Sequence, residues 1–235
     1  MKKTTLDRML QSQGFGTRKY CRQLIDDGVL SIHGQVVTDY KQEVELHNLQ
    51  FRLFEEEWTY REHVYIALNK PAGIECSRKP SSHSGVMTLL PEQFDWRDVQ
   101  AIGRLDHDTT GLLLLSDDGA FNHAMSSPKR HVPKLYLATT AELVTPELTQ
   151  SLLKGVVLHD EQQYLAAVTC IARGEYQLEI VVEQGKYHQV KRMLAAAGNH
   201  CSALQRIAIG TLTLESLKLN EGEWCFLQPD KLKQL

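Results

Sequence analysis

The 235-residue chain has no apolar run near the roughly 18 residues that a membrane-spanning helix requires. Its opening, MKKTTLDRML, carries two lysines, but Asp7 and Arg8 interrupt any apolar core of a secretory leader. Together these absences predict a soluble, cytoplasmic protein with no membrane partner. Cysteine is sparse: Cys21, Cys76, Cys170, Cys201 and Cys225 are odd in number and form no C-x-x-C pair. That excludes a disulfide framework and a zinc ribbon, and predicts reduced residues. The phosphate-loop pattern G-x-x-x-x-G-K-[ST], the zinc-protease pattern H-E-x-x-H and the nucleophile elbow G-x-S-x-G are all missing. GFGTRK, Gly14–Lys19, resembles a dinucleotide fingerprint only briefly, because the third glycine is lacking and a helical pattern precedes it. The ten histidines show no ligand spacing. No metal and no cofactor is therefore expected. Internal repeats and low-complexity segments are also absent.

What is present is a chain with 42% hydrophobic residues, enough for a sizeable core. Its net charge of -3 gives no hint of a polyanionic partner, but the distribution does. The first 35 residues hold six basic residues (Lys2, Lys3, Arg8, Arg18, Lys19, Arg22) against three acids (Asp7, Asp26, Asp27). A basic N-terminal module ahead of an acidic remainder is the pattern of a nucleic-acid-facing module.

Leu6, Met9 and Leu10 have helical spacing, and GFG ends that segment. Thr17 is placed to cap a second helix over RKYCRQLIDD, with Gly28 just past its end. Cys21, Leu24 and Ile25 form its apolar stripe, leaving Arg18, Lys19 and Arg22 largely on one exposed side. VLSIHGQVV reads as a hairpin turning at His33-Gly34. The charged stretch Phe54–His63 reads as a linker. Beyond it, alternation predicts strands in VYIALNKP, KLYLATT and EYQLEIVVEQ, the last with Tyr176, Leu178, Ile180 and Val182 on one face. Thr145-Pro146 opens a helix that Gly155 ends. HQVKRMLAAAG forms another, with Val190, Met193, Leu194 and Ala197 inward and Gly198 as terminator, and short strands follow to the end. Strands outnumber helices without strict alternation. The expected fold is α+β: a small helix-helix-hairpin module over residues 1–55, then a larger domain over 60–235 built on a mixed or mainly antiparallel sheet.

The most chemically suggestive stretch is GRLDHDTTGLLLLSDDG, Gly103–Gly119. Four consecutive leucines between turn-like ends predict a short, fully buried strand. A carboxylate at its mouth, Asp106 or Asp108, is costly without a partner charge or a chemical role, although capping a turn would also account for it. Two other segments supply complementary groups. KLYLATT places Lys134 and Tyr136 on one face of a strand. EQGKYHQVKRM is a glycine turn feeding a helix with Lys186, His188, Lys191 and Arg192. A cationic helix start beside a carboxylate would hold it ionised, and such a carboxylate can act as nucleophile or base. A tyrosine can stack on a planar base while offering its hydroxyl. Each piece alone is equally a solvated face or a core residue, and spacing does not bring the three together.

GRLDHDTTGLLLLSDDG, with LNKPAG, PKLYLATT, GKYHQVKRM and Ala208-Ile209-Gly210 in that order, resembles the pseudouridine synthases, specifically the RsuA family of bacterial small-subunit ribosomal RNA enzymes. The N-terminal helix-helix-hairpin is similar to the RNA-binding module named after small-subunit ribosomal protein four. The resemblance implies a pseudouridine synthase catalytic domain and an isomerase without a cofactor. Asp106 would be its catalytic residue and Tyr136 would stack on the target base. Lys191 would pair with Asp106, with Arg192 as the neighbouring alternative. Arg18, Lys19, Arg22, Arg104, Lys134, Lys186, His188 and Arg192 would contact RNA, and Asp108 would shape the loop. Pro133 ahead of Lys134 departs from the family pattern and puts the loop before that strand in doubt. The partner implied is ribosomal RNA, expected to be 16S, free or in a partly assembled small subunit, with the enzyme a monomer. The small-subunit branch is favoured by the form of DTTGLLLLSDDG and YHQVKRM and by the end at Leu235 without a long basic tail. A large-subunit 23S enzyme, a non-catalytic RNA-binding or ribosome-assembly protein, and a hydrolase using Asp106 and Asp108 as paired carboxylates are the competing readings.

Overall fold

The computed structural model describes residues 2–127, 130–158 and 163–235. The chain divides into two compact units, one of residues 1–64 together with Met87–Val99, the other of Tyr65–Val86 and Gln100–Leu235.

The first unit begins with β1 (Lys3–Thr5), α1 (Leu6–Ser12) and α2 (Arg18–Asp26), followed by β2 (Leu30–Ile32), β3 (Gln35–Val36), β4 (Glu43–Glu45), β5 (Gln50–Leu53) and β6 (Glu56–Thr59). Thr17 caps α2 by accepting from the Tyr20 amide, and Gly28 follows its end at φ 70°. His33 and Gly34 both take positive φ, as a two-residue turn between right-twisted strands requires. The apolar stripe Cys21, Leu24 and Ile25 packs with Leu6, Met9, Leu10, Phe51 and Leu53.

Two expectations are corrected in this unit. Phe54–His63 is not a linker, since β6 pairs with β5 at the edge of a four-stranded sheet ordered β3-β2-β5-β6. Trp58 turns inward, edge-on to Phe15 at 5.0 Å, while Glu56 and Glu57 face solvent. Charged residues on an outer strand guard it against further pairing, and they also mask its alternation. Nor do Arg18 and Arg22 simply face water. Their Nε groups donate to the same oxygen of the fully buried Asp7, at 2.7 and 2.8 Å. Burial alone would raise that carboxyl, but hydrogen bonds from Arg18, Thr5 and Arg22 hold it far below the usual range.

The second unit contains β7 (Tyr65–Lys70), β8 (Ile74–Glu75), β9 (Ser84–Gly85), β10 (Gln100–Ile102), β11 (Thr110–Ser116), β12 (Lys134–Thr140), β13 (Val156–Leu158), β14 (Gln163–Leu165), β15 (Thr169–Ala172), β16 (Gln177–Val182), β17 (Cys201–Ile209), β18 (Leu212–Thr213) and β19 (Trp224–Phe226). Its helices are α4 (Gly119–Ser126), α5 (Pro146–Lys154), α6 (Gln189–Ala196), α7 (Leu214–Leu217) and α8 (Pro229–Leu232), while α3 (Glu92–Trp96) lies in the stretch that joins the first unit. The main sheet runs β15-β16-β12-β17-β11-β7-β19, with β10 also on β11 and β18 on β17. All its pairings are antiparallel except β11 with β17. Leu112–Leu115 form the buried middle of this sheet, as their unbroken apolarity predicts. The end of the chain is not strands alone: β17 is the longest strand described, and α7 and α8 follow it. Tyr176 lies just outside β16 and is exposed, and Ala197 just outside α6, so neither extends its apolar face.

At the seam of β11 and β17, Gly111 faces Arg206. Gly111 has φ +104°, and a Cβ there would lie 2.3 Å from the Arg206 carbonyl oxygen. Only glycine lets the backbones approach so closely at that φ. Arg206 is itself buried and donates from Nε to the Leu112 carbonyl at 2.7 Å.

Candidate active site

The loop of residues 103–109, between β10 and β11, carries Asp106 to the end of the central strand. It is held from several sides. The Thr109 amide donates to the Asp106 carbonyl at 3.1 Å and the Gly73 amide to the His107 carbonyl at 2.7 Å. Lys70, fully buried at the end of β7, donates to the carbonyls of Pro71, Ile74 and His107 at 2.8, 3.0 and 3.3 Å. Burial pushes the Lys70 ammonium down, while Cys76, Asp108 and Asp106 pull it up. A buried cation is tolerable when three carbonyl dipoles replace its water.

The Asp106 carboxylate meets α6 at its start. Oδ2 lies 3.1 Å from Lys191 Nζ and Oδ1 3.1 Å from His188 Nε2. Lys191 also donates to Asp108 Oδ1 at 2.7 Å, so one ammonium bridges two carboxylates. Burial works against the Lys191 charge, but Asp108 and Asp106 outweigh it and raise its pKa. Burial likewise works against Asp108, and Lys191 outweighs it and lowers that carboxyl. His188 precedes α6 in the left-handed region, φ 49° and ψ 31°. The Tyr187 ring stacks on its imidazole at 3.7 Å. His188, just before α6, and Lys191, in its first turn, reach Asp106 together.

Asp106 opens onto two cavities. A narrow one of about 50 Å³ is lined by Asp106, Thr109, Tyr136, Gln189 and Leu204 among others. A wide one of about 690 Å³ lies against Arg104, Asp106, His107, Lys186, Tyr187 and His188. Tyr136 lines only the narrow one, and the basic residues Arg104 and Lys186 line both. The arrangement places one carboxylate between a lysine and a histidine at the mouth of both cavities.

Residues 64–196 match the family model described as RNA pseudouridylate synthase. The chain belongs to the RNA pseudouridylate synthase family. A Bacillus subtilis relative, described as the uncharacterized RNA pseudouridine synthase YtzG, is 33% identical across 98% of this chain and 97% of its own. Ribosomal small subunit pseudouridine synthase A of Escherichia coli (strain K12) is 41% identical across 68% of each chain. Its Haemophilus influenzae counterpart is 32% identical across 98% of each. A crystal structure of a pseudouridylate synthase superposes with a TM-score of 0.69 at 31% identity, covering 98% of both chains. The protein is thus an RNA pseudouridine synthase with the expected α+β fold.

Of the residues singled out in the sequence of this pseudouridine synthase, Asp106 and Tyr136 line the narrow cavity, and Lys191 lies against Asp106. Lys191 is the residue paired with Asp106, and Arg192 donates to the Tyr187 carbonyl. Arg104 and Lys186 line both cavities. His188, read as an RNA contact, also touches Asp106. Lys134, two residues before Tyr136 on β12, donates to the carbonyls of Val132 and Glu183 at 2.8 and 3.4 Å and does not line the narrow cavity. Asp108 is more than a loop-shaping residue, since it shares the Lys191 ammonium with Asp106. Sequence reasoning missed Lys70 and Arg206. A lysine closing an apolar strand in LNKP was the available signal for the first. Nothing local marked the second.

Proposed function

We propose that this enzyme isomerises a uridine of small-subunit 16S ribosomal RNA, with Asp106 as the catalytic carboxylate. The observation that carries the reading is the placement of Asp106 Oδ1 and Oδ2 against His188 and Lys191 at the mouth of the cavity walled by Tyr136. The target base leaves its stack, at a cost of a few kcal/mol, and enters beside the Tyr136 ring. Asp106 assists cleavage of the C1'–N1 bond, with the bonding pair retained by the base. The base turns, C5 joins C1', the C5 proton is lost and N1 takes up a proton. Lys191 and His188 hold the Asp106 carboxylate in place. No oxidation, hydrolysis or energy source enters this balance. Arg104, Lys186 and Arg192 steer the phosphates nearby, and the first unit, with Lys19 and in part Arg18 and Arg22, adds a sequence-independent grip on the RNA. The small-subunit target rests on relatives from Escherichia coli and Haemophilus influenzae that bear that name.

The test is incubation of the enzyme, wild type and Asp106→Asn, with unmodified 16S and 23S rRNA, each free and partly assembled, followed by mapping of pseudouridine. The expected result is one site in 16S RNA with wild type and none with Asp106→Asn, which keeps size and loses charge. Product confined to 23S RNA would overturn the target, and a fully active Asp106→Asn variant would overturn the catalytic assignment.

A further inference from the structure

Four buried side-chain polar atoms make no hydrogen bond among the described residues: Asn69 Oδ1, Thr109 Oγ1, Asn122 Oδ1 and Arg206 Nη2. Of these residues, Thr109 alone also lines the narrow cavity that holds Asp106 and Tyr136. Its side chain is almost wholly enclosed, and its backbone is tied to the Asp106 carbonyl. A hydroxyl carries one donor and two acceptor sites, and leaving all of them unmet inside a protein is unfavourable. A second group with unmet capacity lines the same cavity. Gln189, nine-tenths buried, accepts from the Lys186 amide through Oε1, but its Nε2 meets only the Met193 sulfur at 3.7 Å. A thioether is a weak acceptor for an amide that can donate twice.

Resting on the pseudouridine synthase reading of this site, we propose that Thr109 and Gln189 read the polar edge of the target base. That edge of uracil offers O4, N3–H and O2 in the order acceptor, donor, acceptor. Gln189 Nε2 donates to the outer carbonyl and Thr109 Oγ1 accepts from N3–H. Cytosine replaces O4 with an amino group, which sets donor against donor at Gln189, whereas the Thr109 hydroxyl can turn to donate to the cytosine N3 lone pair. A site built to meet a polar group rejects the analogue that lacks it, because its own groups are then stranded. The edge has a further property relevant to this reaction. A half-turn about the N3–C6 axis brings C5 to the place of N1 and exchanges O4 with O2, while N3–H stays put. The same two side chains therefore serve the base before and after it turns, and hold it in its slot while it is detached from the sugar.

The experiment measures competition binding in the Asp106→Asn background, so that no isomerisation intervenes. The probes are two seven-nucleotide RNAs, AAAUAAA and AAACAAA. With Thr109 and Gln189 intact, the uridine RNA is expected to compete about tenfold better or more. Gln189→Met should lower that preference by roughly three- to tenfold, the scale of one neutral hydrogen bond, and Thr109→Val should weaken the binding of both RNAs by a similar factor. Thr109→Ser, which restores the hydroxyl, should bind as the parent does. A purely structural role for either residue would lower thermal stability without moving these affinities. Equal binding of the two RNAs by the parent, a full preference in the Met variant, or unweakened binding in the Val variant would overturn the proposal. Loss of pseudouridine formation by wild type on rRNA would strike the enzymatic reading instead and leave this preference standing.

Discussion

At the scale of single residues, the site turns on one ammonium shared between two carboxylates. Removing it leaves Asp106 and Asp108 facing each other with only His188 on Asp106. Lys191→Ala should cost about 1–3 kcal/mol of transition-state stabilisation, roughly five- to 160-fold in single-turnover rate, and more than Arg192→Ala. The partial exposure of the pair keeps this below the figure for a fully buried one. The pH dependence has a definite sign. Lys191 holds the Asp108 carboxyl low, so without it Asp108 takes up its proton at higher pH. The midpoint of Asp108 protonation, read by carbon-13 NMR of its carboxyl, should therefore move upward in Lys191→Ala, and an unmoved midpoint would mean that the bridge does not govern its ionisation. Tyr136 separates two roles. Tyr136→Phe keeps the stacking face and should retain much more activity than Tyr136→Leu, which forfeits roughly 1–3 kcal/mol of stacking. Equal losses would assign the role to the hydroxyl. The sequence pointed to Asp106, Tyr136 and Lys191 through short motifs that resemble the family, and the contact of Lys191 with Asp106 agrees with that reading. The Asp108 and His188 contacts were not legible there, since they depend on a left-handed residue ahead of α6 and on a loop closing from a distant strand.

At the scale of elements, periodicity was informative wherever one face or both faces are buried. The four leucines of β11, the stripe of α2 and the alternation of β16 follow directly from it. It failed at β6, a charged edge strand whose hairpin turn uses Phe54 at φ 56° instead of a glycine or asparagine. It could not show that β11 and β17 are neighbours, because the pairing of residues 110 and 111 with 205 and 206 leaves no local trace. Only the demand for glycine at Gly111 hints at it. Gly111→Ala should destabilise the second unit by roughly 2–5 kcal/mol, combining unfavourable φ with a clash against the Arg206 backbone. Thermal unfolding of the full chain reads the effect, and a melting temperature within a degree of wild type would show that the seam can open without penalty.

At the scale of the whole molecule, the excess of basic residues in the first 35 positions was legible as a preference for a polyanion, but its structural use was not. Arg18 and Arg22 are already engaged by Asp7, so they stabilise their own unit as well as offering charge. Lys19 is exposed and makes the cleaner probe. Lys19→Gln should weaken RNA binding at low salt and reduce the slope of log affinity against log salt by about 0.7–0.9, the share of one phosphate contact. An unchanged slope would remove Lys19 from the interface. Deleting residues 1–50 is a poorer test. Met87–Val99 packs with the first unit, where the Arg97 guanidinium donates to the Gln13 side chain and to the Arg61 carbonyl. Truncation would strand Phe94 and Val99, both buried, and confuse lost binding with lost stability.

The parallel seam of β11 and β17 also orders events in time. A ribosome releases β11 long before β17, and pairings across so long an interval close slowly, after nearer contacts have formed. Until then β10 covers residues 114–116 on that edge of β11, and the stretch that β17 will pair, Thr110-Gly111, stays open, which is the condition for adhesion to other nascent chains. The strand β19, partner of β7 on its other side, is later still. A polypeptide halted just before Cys201 would already contain Asp106, Tyr136 and Lys191, yet would lack the strand that lies between β11 and β12 and so brings the loop of the carboxylate to Tyr136.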